Sequence, residues 1–443
     1  MSDLILISGG RLMDPGQGLD GVRDILVGKG RVLWIGHAPP PQEPDKVLQG
    51  QGLVVSPGFV DLHCHLRVPG QEDKETMASG TLAACRGGFT TVCAMPNTRP
   101  PVDTPPLIEF LKDKASREGL VRVLPVGALT RGRVGKELVE MEAMARAGAV
   151  AFSDDGHPTG SRIMRQALEF SRYLGLPVMD HCEDPELARE GLVNEGVVSL
   201  RLGLRGMPSQ AEEAAVARDV AVAGLTGGHV HIHHVSSQGS LEHIRRGKEK
   251  GVKVTCEATP HHLTLTDDRL LAPIPYDTNL KVNPPLRSER ERKALAEALR
   301  EGLIDAVATD HAPHALVDKL VEFSRAGPGM SNLETALGSL MALVHRGELD
   351  LLTLVARLTI GPARILGKEL GSLKVGWPAD VVIFDPDREW TVDPQALASR
   401  GKNTPLGGEK LKGRVMATLV GGKAAYLDPS LKLEVPESRK AKI

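Results

Sequence analysis

The chain has 443 residues, which is too long for one small core and suits a barrel of about 250 residues with a smaller module beside it. The formal net charge of −2 argues against a basic surface for nucleic acid and against a polybasic membrane patch. No apolar run approaches the roughly 20 residues that span a bilayer. From the charge and the run lengths together, we expect neither nucleic acid nor a membrane as a partner.

The N-terminus lacks a basic region followed by a cleavable apolar segment, and the five cysteines form no CxxC pair. This combination is typical of reduced thiols in the cytosol. We therefore expect a cytoplasmic protein without a disulfide framework.

Both ends of the chain carry short apolar runs separated by glycines, a pattern that predicts small antiparallel strands. The runs lie in residues 4–52, 379–384 and 413–421. We expect the two ends to meet in one small β-sandwich domain. Its N-terminal part would be residues 1–53 and its C-terminal part residues 369–430, followed by a tail at residues 431–443.

Between the ends, in residues 54–368, β-branched runs alternate with helical patterns, which indicates βα units and a parallel sheet. Eight candidate strands are present, the number found in a (β/α)8 TIM barrel. They are residues 54–63, 90–95, 121–126, 150–153, 177–181, 230–234, 253–257 and 306–310. The predicted fold class is therefore α/β, with the barrel as the main domain.

Histidines and carboxylates cluster at the ends of these strands, where barrel enzymes carry their chemistry. His63 and His65 end the first strand, and residues i and i+2 of a strand face the same side. Further candidates end other strands. These are Asp155, His181, His234 and Asp310. Nitrogen and oxygen ligands of this kind suit Zn²⁺, either one ion or two bridged by a carboxylate.

Alternation along the sixth strand places His229, His231 and His233 on one face and His234 on the other. We expect His234 to face the site, because it stands last before a turn-like Val-Ser-Ser segment. The other three are interpreted as structural histidines, and the role of His311 stays open.

Two aspartates stand together at the end of the fourth strand, Asp154 and Asp155, and on an extended chain only one of them points inward. Asp310 has a different expected role. A carboxylate beside the metal can orient the attacking water, take its proton and return it to a leaving amine.

Several motifs together resemble the dihydroorotase family of the amidohydrolase superfamily, from about Gly9 to about Tyr426. They are PGFVDLHCHLR at 57–67, AMPNT at 94–98, AFSDDG at 151–156, MDHCED at 179–184, HHVS at 233–236, KVNPPLR at 281–287, ATDHAPH at 308–314 and KNTPLGG at 402–408.

The resemblance implies a role for each site residue. His63, His65 and Asp310 would bind one metal position, and His181 and His234 a second. Asp155 would bridge them, because Gly156 aligns the second aspartate with the family position. Substrate contacts would come from His65, Arg67, Asn97, Asn283, His314, Pro328 and Gly329. Arg67, Asn97 and His314 would hold a carboxylate, and Asn283 the ring.

The implied reaction is the reversible cyclisation of N-carbamoyl-L-aspartate to L-dihydroorotate plus water in de novo pyrimidine (UMP) biosynthesis, with one or two Zn²⁺ per subunit. Alternatives are a hydantoinase or allantoinase, or an inactive homologue that serves as a scaffold for aspartate carbamoyltransferase. A homo-oligomer is expected, and aspartate carbamoyltransferase is a candidate partner of an active enzyme as well.

Overall fold

Eight parallel strands form the central sheet of the computed structural model, which describes residues 4–37, 39–271 and 274–436. In chain order they are β1 (Phe59–Cys64), β2 (Phe89–Ala94), β3 (Arg122–Gly127), β4 (Ala151–Phe152), β5 (Val178–Asp180), β6 (Val230–Ile232), β7 (Val254–Ala258) and β8 (Ala306–Val307). Each strand pairs with the next, and the backbone amide of His65 donates to the carbonyl of His311 over 2.8 Å. The sheet is thereby nearly closed, and the predicted TIM barrel is confirmed.

Helices alternate with the strands. The longer ones are Met77–Arg86, Pro105–Glu118, Met141–Ala147, Ser161–Leu174, Gln210–Thr226, Gln238–Glu249, Glu289–Glu301, Ala336–His345, Leu351–Leu358 and Ile360–Leu366. The shorter α-helices are Pro185–Ala188, Val197–Leu202, Pro260–Thr264 and Leu316–Lys319. Single 3₁₀ turns occupy Arg131–Arg133, Asp267–Leu271, Thr278–Leu280 and Pro394–Ala396. In Ser161–Leu174 the buried positions recur every three or four residues, as expected for a helix with one face on the core.

A second, mixed sheet is built from both ends of the chain, as the sequence predicts. Its nine strands are Ile5–Asp14, Leu19–Gly28, Arg31–Gly36, Lys46–Gln49, Val54–Pro57, Val381–Thr391, Lys410–Val420, Lys423–Leu427 and Leu433–Glu434. Val54–Pro57 pairs antiparallel with the start of Val381–Thr391 and so joins the two ends. The sheet has its own apolar core, which includes Ile7 and Ile383. A separate two-stranded sheet pairs Val193–Asn194 with Gly206–Met207.

The predicted first barrel strand, residues 54–63, is in fact two strands in two different sheets. Val54–Pro57 belongs to the mixed sheet, and Phe59–Cys64 to the barrel. The break falls at Gly58, where an added Cβ would lie 2.2 Å from the Thr90 side chain. Only glycine fits this crossing between the sheets.

The predicted C-terminal tail, residues 431–443, begins with ordered structure. Leu433 and Glu434 pair with Leu48 and Val47 in the mixed sheet. Residues 437–443 lie outside the described part of the chain.

Among the described residues, no helix combines the length and the apolar character that crossing a membrane requires. All five cysteines are buried and unbridged.

Candidate active site

The six predicted metal ligands converge at the carboxyl ends of the barrel strands, and all six are buried. The six ligands stand at the ends of five different strands. They are His63 and His65 at β1, Asp155 after β4, His181 after β5, His234 after β6 and Asp310 after β8. Residues up to 247 positions apart in the chain, from His63 to Asp310, therefore meet in one small volume.

One group consists of His63, His65 and Asp310, whose donor atoms lie within 4.8 Å of one another. Asp310 Oδ1 lies 3.1 Å from His65 Nε2 and 3.6 Å from His63 Nε2. One carboxylate oxygen thus faces both imidazoles, which is an arrangement that suits a shared ion.

His181 and His234 form a second group, in which His181 Nδ1 lies 3.0 Å from His234 Nε2. Asp155 lies between this pair and the first group. Its Oδ1 is 3.4 Å from His63 Nε2, 3.8 Å from His234 Nε2 and 4.0 Å from His181 Nδ1. Asp155 is therefore placed within reach of both sets of histidines.

Asp154, the alternative to Asp155, faces away from this cluster. Its Oδ1 accepts hydrogen bonds from the backbone amides of Leu129 and Thr130, at 2.9 and 3.0 Å. The Thr130 hydroxyl donates to Oδ2. Asp154 therefore fixes the turn after β3 against the end of β4.

The charges of the cluster fit a bound cation. Burial acts against ionised carboxylates, yet the pKa of Asp155 lies well below its usual value because His63 and its neighbours outweigh that penalty. The pKa of Asp310 is also lowered, again by His63 and His65 against the effect of burial. His63 Nε2 is buried without a hydrogen-bond partner among the described residues. The orphaned nitrogen and the N/O donor set therefore fit a metal ion.

Glu257, at the end of β7, holds His63 in place. His63 Nδ1 donates to Glu257 Oε1 over 3.3 Å, which leaves Nε2 facing the cluster. The other carboxylate oxygen contacts His231 Nε2 at 3.1 Å. A carboxylate behind a ligating histidine fixes its tautomer and orientation. Glu257 was not singled out from the sequence, because its partner His63 lies 194 residues away in the chain.

Two further polar side chains support the ligands in the same way. Asn97 accepts from His65 Nδ1 at 2.8 Å and donates to Asp155 Oδ2 at 3.1 Å. Glu183 lies 3.3 Å from His181 Nε2 and accepts from Asn283 Nδ2 at 2.9 Å. Asn97 and Asn283, predicted as substrate contacts, thus also brace the ligands.

His233 differs from its expected structural role. Strand β6 ends at Ile232, and His234 has a φ of +31°, so the alternation of side chains stops there. His233 Nδ1 lies 3.9 Å from Asp155 Oδ1, almost as near as His234 Nε2 at 3.8 Å. Both histidines therefore face the cluster.

His311, whose role the sequence leaves open, points away from the cluster into a buried network. Its Nε2 lies 3.2 Å from Glu75 Oε2, and its Nδ1 accepts a hydrogen bond from the backbone amide of Asn332 at 3.1 Å. Together with the backbone bond to His65, these contacts close the barrel next to Asp310.

A cavity of about 320 Å³ opens beside the cluster. All seven predicted substrate-contact residues line it. They are His65, Arg67, Asn97, Asn283, His314, Pro328 and Gly329. Asp155, His181, His234 and Asp310 border the same space. Arg133 and His157, which the sequence did not single out as substrate contacts, also line the wall.

Arg67 and His314 stand at the wall of this cavity. Arg67 Nε donates to the Pro313 carbonyl at 3.2 Å, which fixes the guanidinium in place. His314 Nε2 donates to the Pro328 carbonyl at 2.9 Å. Burial and the positive charges of Arg67 and Lys319 lower the pKa of His314 to about 3, so its imidazole is neutral.

The segment that follows His314 is held by two buried lysines that the sequence did not single out for this role. Lys319 Nζ donates to the carbonyls of Thr278 and Gly327, at 2.9 and 2.7 Å. Lys281 Nζ donates to the carbonyls of Phe323 and Ser324, both at 2.9 Å. These bonds fix the approach to Pro328 and Gly329.

The fold and the converging ligands define the class of barrel metallohydrolases. Two family models match the chain: "Dihydro-orotase-like" over residues 52–240 and "Amidohydrolase family" over residues 208–426. The chain belongs to the dihydroorotase family of the amidohydrolases.

Full-length relatives carry this assignment. The chain is 48% identical over 427 residues to a protein of Anaeromyxobacter dehalogenans (strain 2CP-1) named dihydroorotase, covering 96% of this chain and 98% of the relative. It is 47% identical over 426 residues to the dihydroorotase of Aquifex aeolicus, covering 96% and 99%. Among solved structures, the L-hydantoinase of Arthrobacter aurescens matches with a TM-score of 0.87 and 26% identity, covering 98% of each chain.

Proposed function

We propose that the chain is a zinc-dependent cyclic amide hydrolase that interconverts N-carbamoyl-L-aspartate and L-dihydroorotate in de novo pyrimidine biosynthesis. The observation that carries this proposal is the shared cavity. A guanidinium suited to a substrate carboxylate, Arg67, lines the same space of about 320 Å³ as the carboxylate suited to proton transfer, Asp310. The relatives named dihydroorotase support the same substrate.

One or two Zn²⁺ would be held by the six converging residues, with Asp155 shared between the two positions. When bound, zinc supplies Lewis-acid polarisation of the ring amide and makes water acidic enough to react near neutral pH. Because five of the six ligands follow different strands of a rigid barrel, their positions are set before substrate arrives.

The cavity wall would bind the substrate carboxylate. Arg67 offers a planar pair of N–H donors, which matches a carboxylate in geometry and charge. Asn97 and His314 would complete this subsite, with Asn283 facing the ring and the backbone of Pro328 and Gly329 closing one side. The bond from Arg67 Nε to Pro313 leaves the outer edge of the guanidinium for the ligand.

Asp310 would move the proton. Its lowered pKa keeps the carboxylate ionised, so it can accept a proton from the attacking water. In the hydrolytic direction it would pass that proton to the departing ring nitrogen, and in cyclisation the transfer runs the other way. Its position beside His65, on the cavity wall, suits this transfer.

Two alternatives are not favoured. The hydantoinase match is 26% identical, whereas the dihydroorotases reach 48%. In many amidohydrolases a carboxylated lysine bridges the two metal positions, and its absence argues against a hydantoinase. Among the described residues that line the cavity there is no lysine, and Asp155 stands between the two ligand groups. An inactive scaffold has no need of converging ligands, yet all six converge here.

Cytoplasmic location, a homo-oligomer and an aspartate carbamoyltransferase partner belong to the same proposal. Light scattering of the purified chain, alone and mixed with an aspartate carbamoyltransferase, would test the last two. A chain that stays monomeric and does not bind the transferase would contradict both the homo-oligomer and the partner.

The function itself is tested with purified chain at known zinc content. Hydrolysis rates of L-dihydroorotate, hydantoin and allantoin are compared at equal metal loading. We expect dihydroorotate to be preferred. Preference for either of the other rings would overturn the assignment, and protein that stays inactive after zinc and the transferase are added would favour the scaffold.

A further inference from the structure

His233 is a buried histidine for which neither the fold nor the proposed mechanism has a use. Its exposure is 2%, and both ring nitrogens lack a hydrogen-bond partner among the described residues. The two preceding histidines on the same face of the predicted strand do have hydrogen-bond partners. His229 contacts Thr255, and His231 contacts both Thr255 and Glu257. A buried imidazole with two unmet polar atoms is unfavourable unless something else binds it.

The position of His233 suggests what that partner is. The donor atoms of His63, Asp155, His233 and His234 all lie within 4.8 Å of one another. The His233 ring centroid is 4.2 Å from that of His63. Two ligands of one tetrahedral zinc ion stand about 3.3 Å apart, since each bond is about 2.0–2.1 Å long. The 3.9 Å between His233 Nδ1 and Asp155 Oδ1 therefore needs only a small inward movement.

We propose that His233 is a further metal ligand, which binds a divalent ion next to Asp155, the residue shared between the two metal positions. This inference rests on the metal-dependent function proposed above. The four neighbouring donors, those of His63, Asp155, His233 and His234, are three imidazole nitrogens and one carboxylate oxygen, which are donor types that suit zinc. The centre then has seven donors in place of six.

The backbone explains how two consecutive residues serve one centre. In an extended strand His233 and His234 would point to opposite faces. The strand ends one residue earlier, and the left-handed φ of +31° at His234 turns the chain. Both rings then lie beside Asp155, with nitrogens 3.9 and 3.8 Å from its Oδ1.

The test uses the full chain and zinc in the absence of substrate. His233→Phe keeps a ring of similar size but has no nitrogen, and His229→Phe, directly before strand β6, is the matched control. Competition with a chelator should show that His233→Phe loses affinity for one zinc ion by about 100-fold or more. His229→Phe should bind zinc like the wild type. The melting temperature of metal-free His233→Phe should not fall, because no hydrogen bond is removed.

A second measurement needs no variant. In the wild type loaded with two cobalt ions per chain, hyperfine-shifted imidazole N–H signals count the ligating histidines, and we expect five. A count of four, or a His233→Phe protein with the zinc affinity and cobalt absorption spectrum of the wild type, would overturn the proposal. Wild-type protein that binds no zinc at all would instead contradict the metal-dependent function.

Discussion

Asp310 Oδ1 lies 3.1 Å from His65 Nε2, at the point where the cluster of ligands meets the cavity. This contact joins a group that suits proton transfer to a group that suits metal binding. Asp310 also has a left-handed backbone, with φ of +45°, and His311 is anchored directly behind it by Glu75. The carboxylate is therefore held rigidly where the two halves of the proposed chemistry meet.

Asp310→Asn should abolish turnover while the protein stays folded. Asparagine tolerates a left-handed backbone, so the fold is kept, but a neutral amide cannot accept the proton. We expect kcat to fall by about 10³-fold or more, measured with L-dihydroorotate at saturating zinc.

Asp305→Asn is the matched control, because Asp305 precedes β8 and its Oδ2 accepts from Lys248 Nζ at 2.7 Å, at the opposite end of that strand. It should keep turnover. Near-normal turnover in folded, zinc-loaded Asp310→Asn would remove Asp310 from the mechanism.

The adjacent aspartates should respond in opposite ways to the same substitution. Asp155→Asn should weaken zinc binding, because Asp155 faces both ligand groups. Asp154→Asn should keep zinc but lower the free energy of unfolding by about 1–3 kcal/mol, because its carboxylate accepts three hydrogen bonds around Thr130. Zinc content and urea unfolding measure the two effects, and a reversed pattern would mean that Asp154 is the ligand.

Arg67→Gln should change the preference for a carboxylate-bearing substrate more than the rate of ring opening itself. Loss of the guanidinium removes the charged partner of the substrate carboxylate, so kcat/KM for L-dihydroorotate should fall by about 10²-fold. Hydrolysis of dihydrouracil, which has the ring without the carboxylate, is the internal control and should change little. An equal fall of kcat/KM for both substrates would show that Arg67 does not bind the substrate carboxylate.

His314 should make the metal-free protein less stable in acid. Its folded pKa of about 3 lies below its ordinary value of 6.5, so between these pH values the unfolded chain binds more protons than the folded one. The contribution is complete above about pH 6.5 and is lost as pH falls towards 3, by up to about 1.4 kcal/mol per pH unit.

His314→Gln removes this titration. Between pH 4 and 6.5 the free energy of unfolding in urea should then depend less steeply on pH, by the equivalent of up to about one proton taken up on unfolding. Identical slopes in wild type and His314→Gln would contradict the account.

The fold was predictable because each barrel strand is an apolar run with its own turn signals. The break at Gly58 was not, since both Val54–Pro57 and Phe59–Cys64 are apolar, and sequence does not show which sheet a strand joins. Only the contact with Thr90 on the neighbouring strand β2 reveals why a glycine separates them.

The site was predictable where ligands end strands and less so where geometry departs from the strand. Alternation assigned His233 to the wrong face because it assumed an extended backbone up to His234, whose φ is +31°. Glu257 escaped notice because its partner His63 lies 194 residues away, and Lys319 because its partner Thr278 lies 41 residues away. Long-range hydrogen bonds of this kind leave no local pattern in a sequence.

The central claim is tested most directly by following the reaction from both sides. Zinc-loaded protein is incubated with N-carbamoyl-L-aspartate in one sample and with L-dihydroorotate in another, and both compounds are quantified by NMR. The account predicts that the two samples converge on one ratio, and that both stop when zinc is removed. Failure to form L-dihydroorotate from the open chain, or to open the ring, at full zinc loading would contradict it.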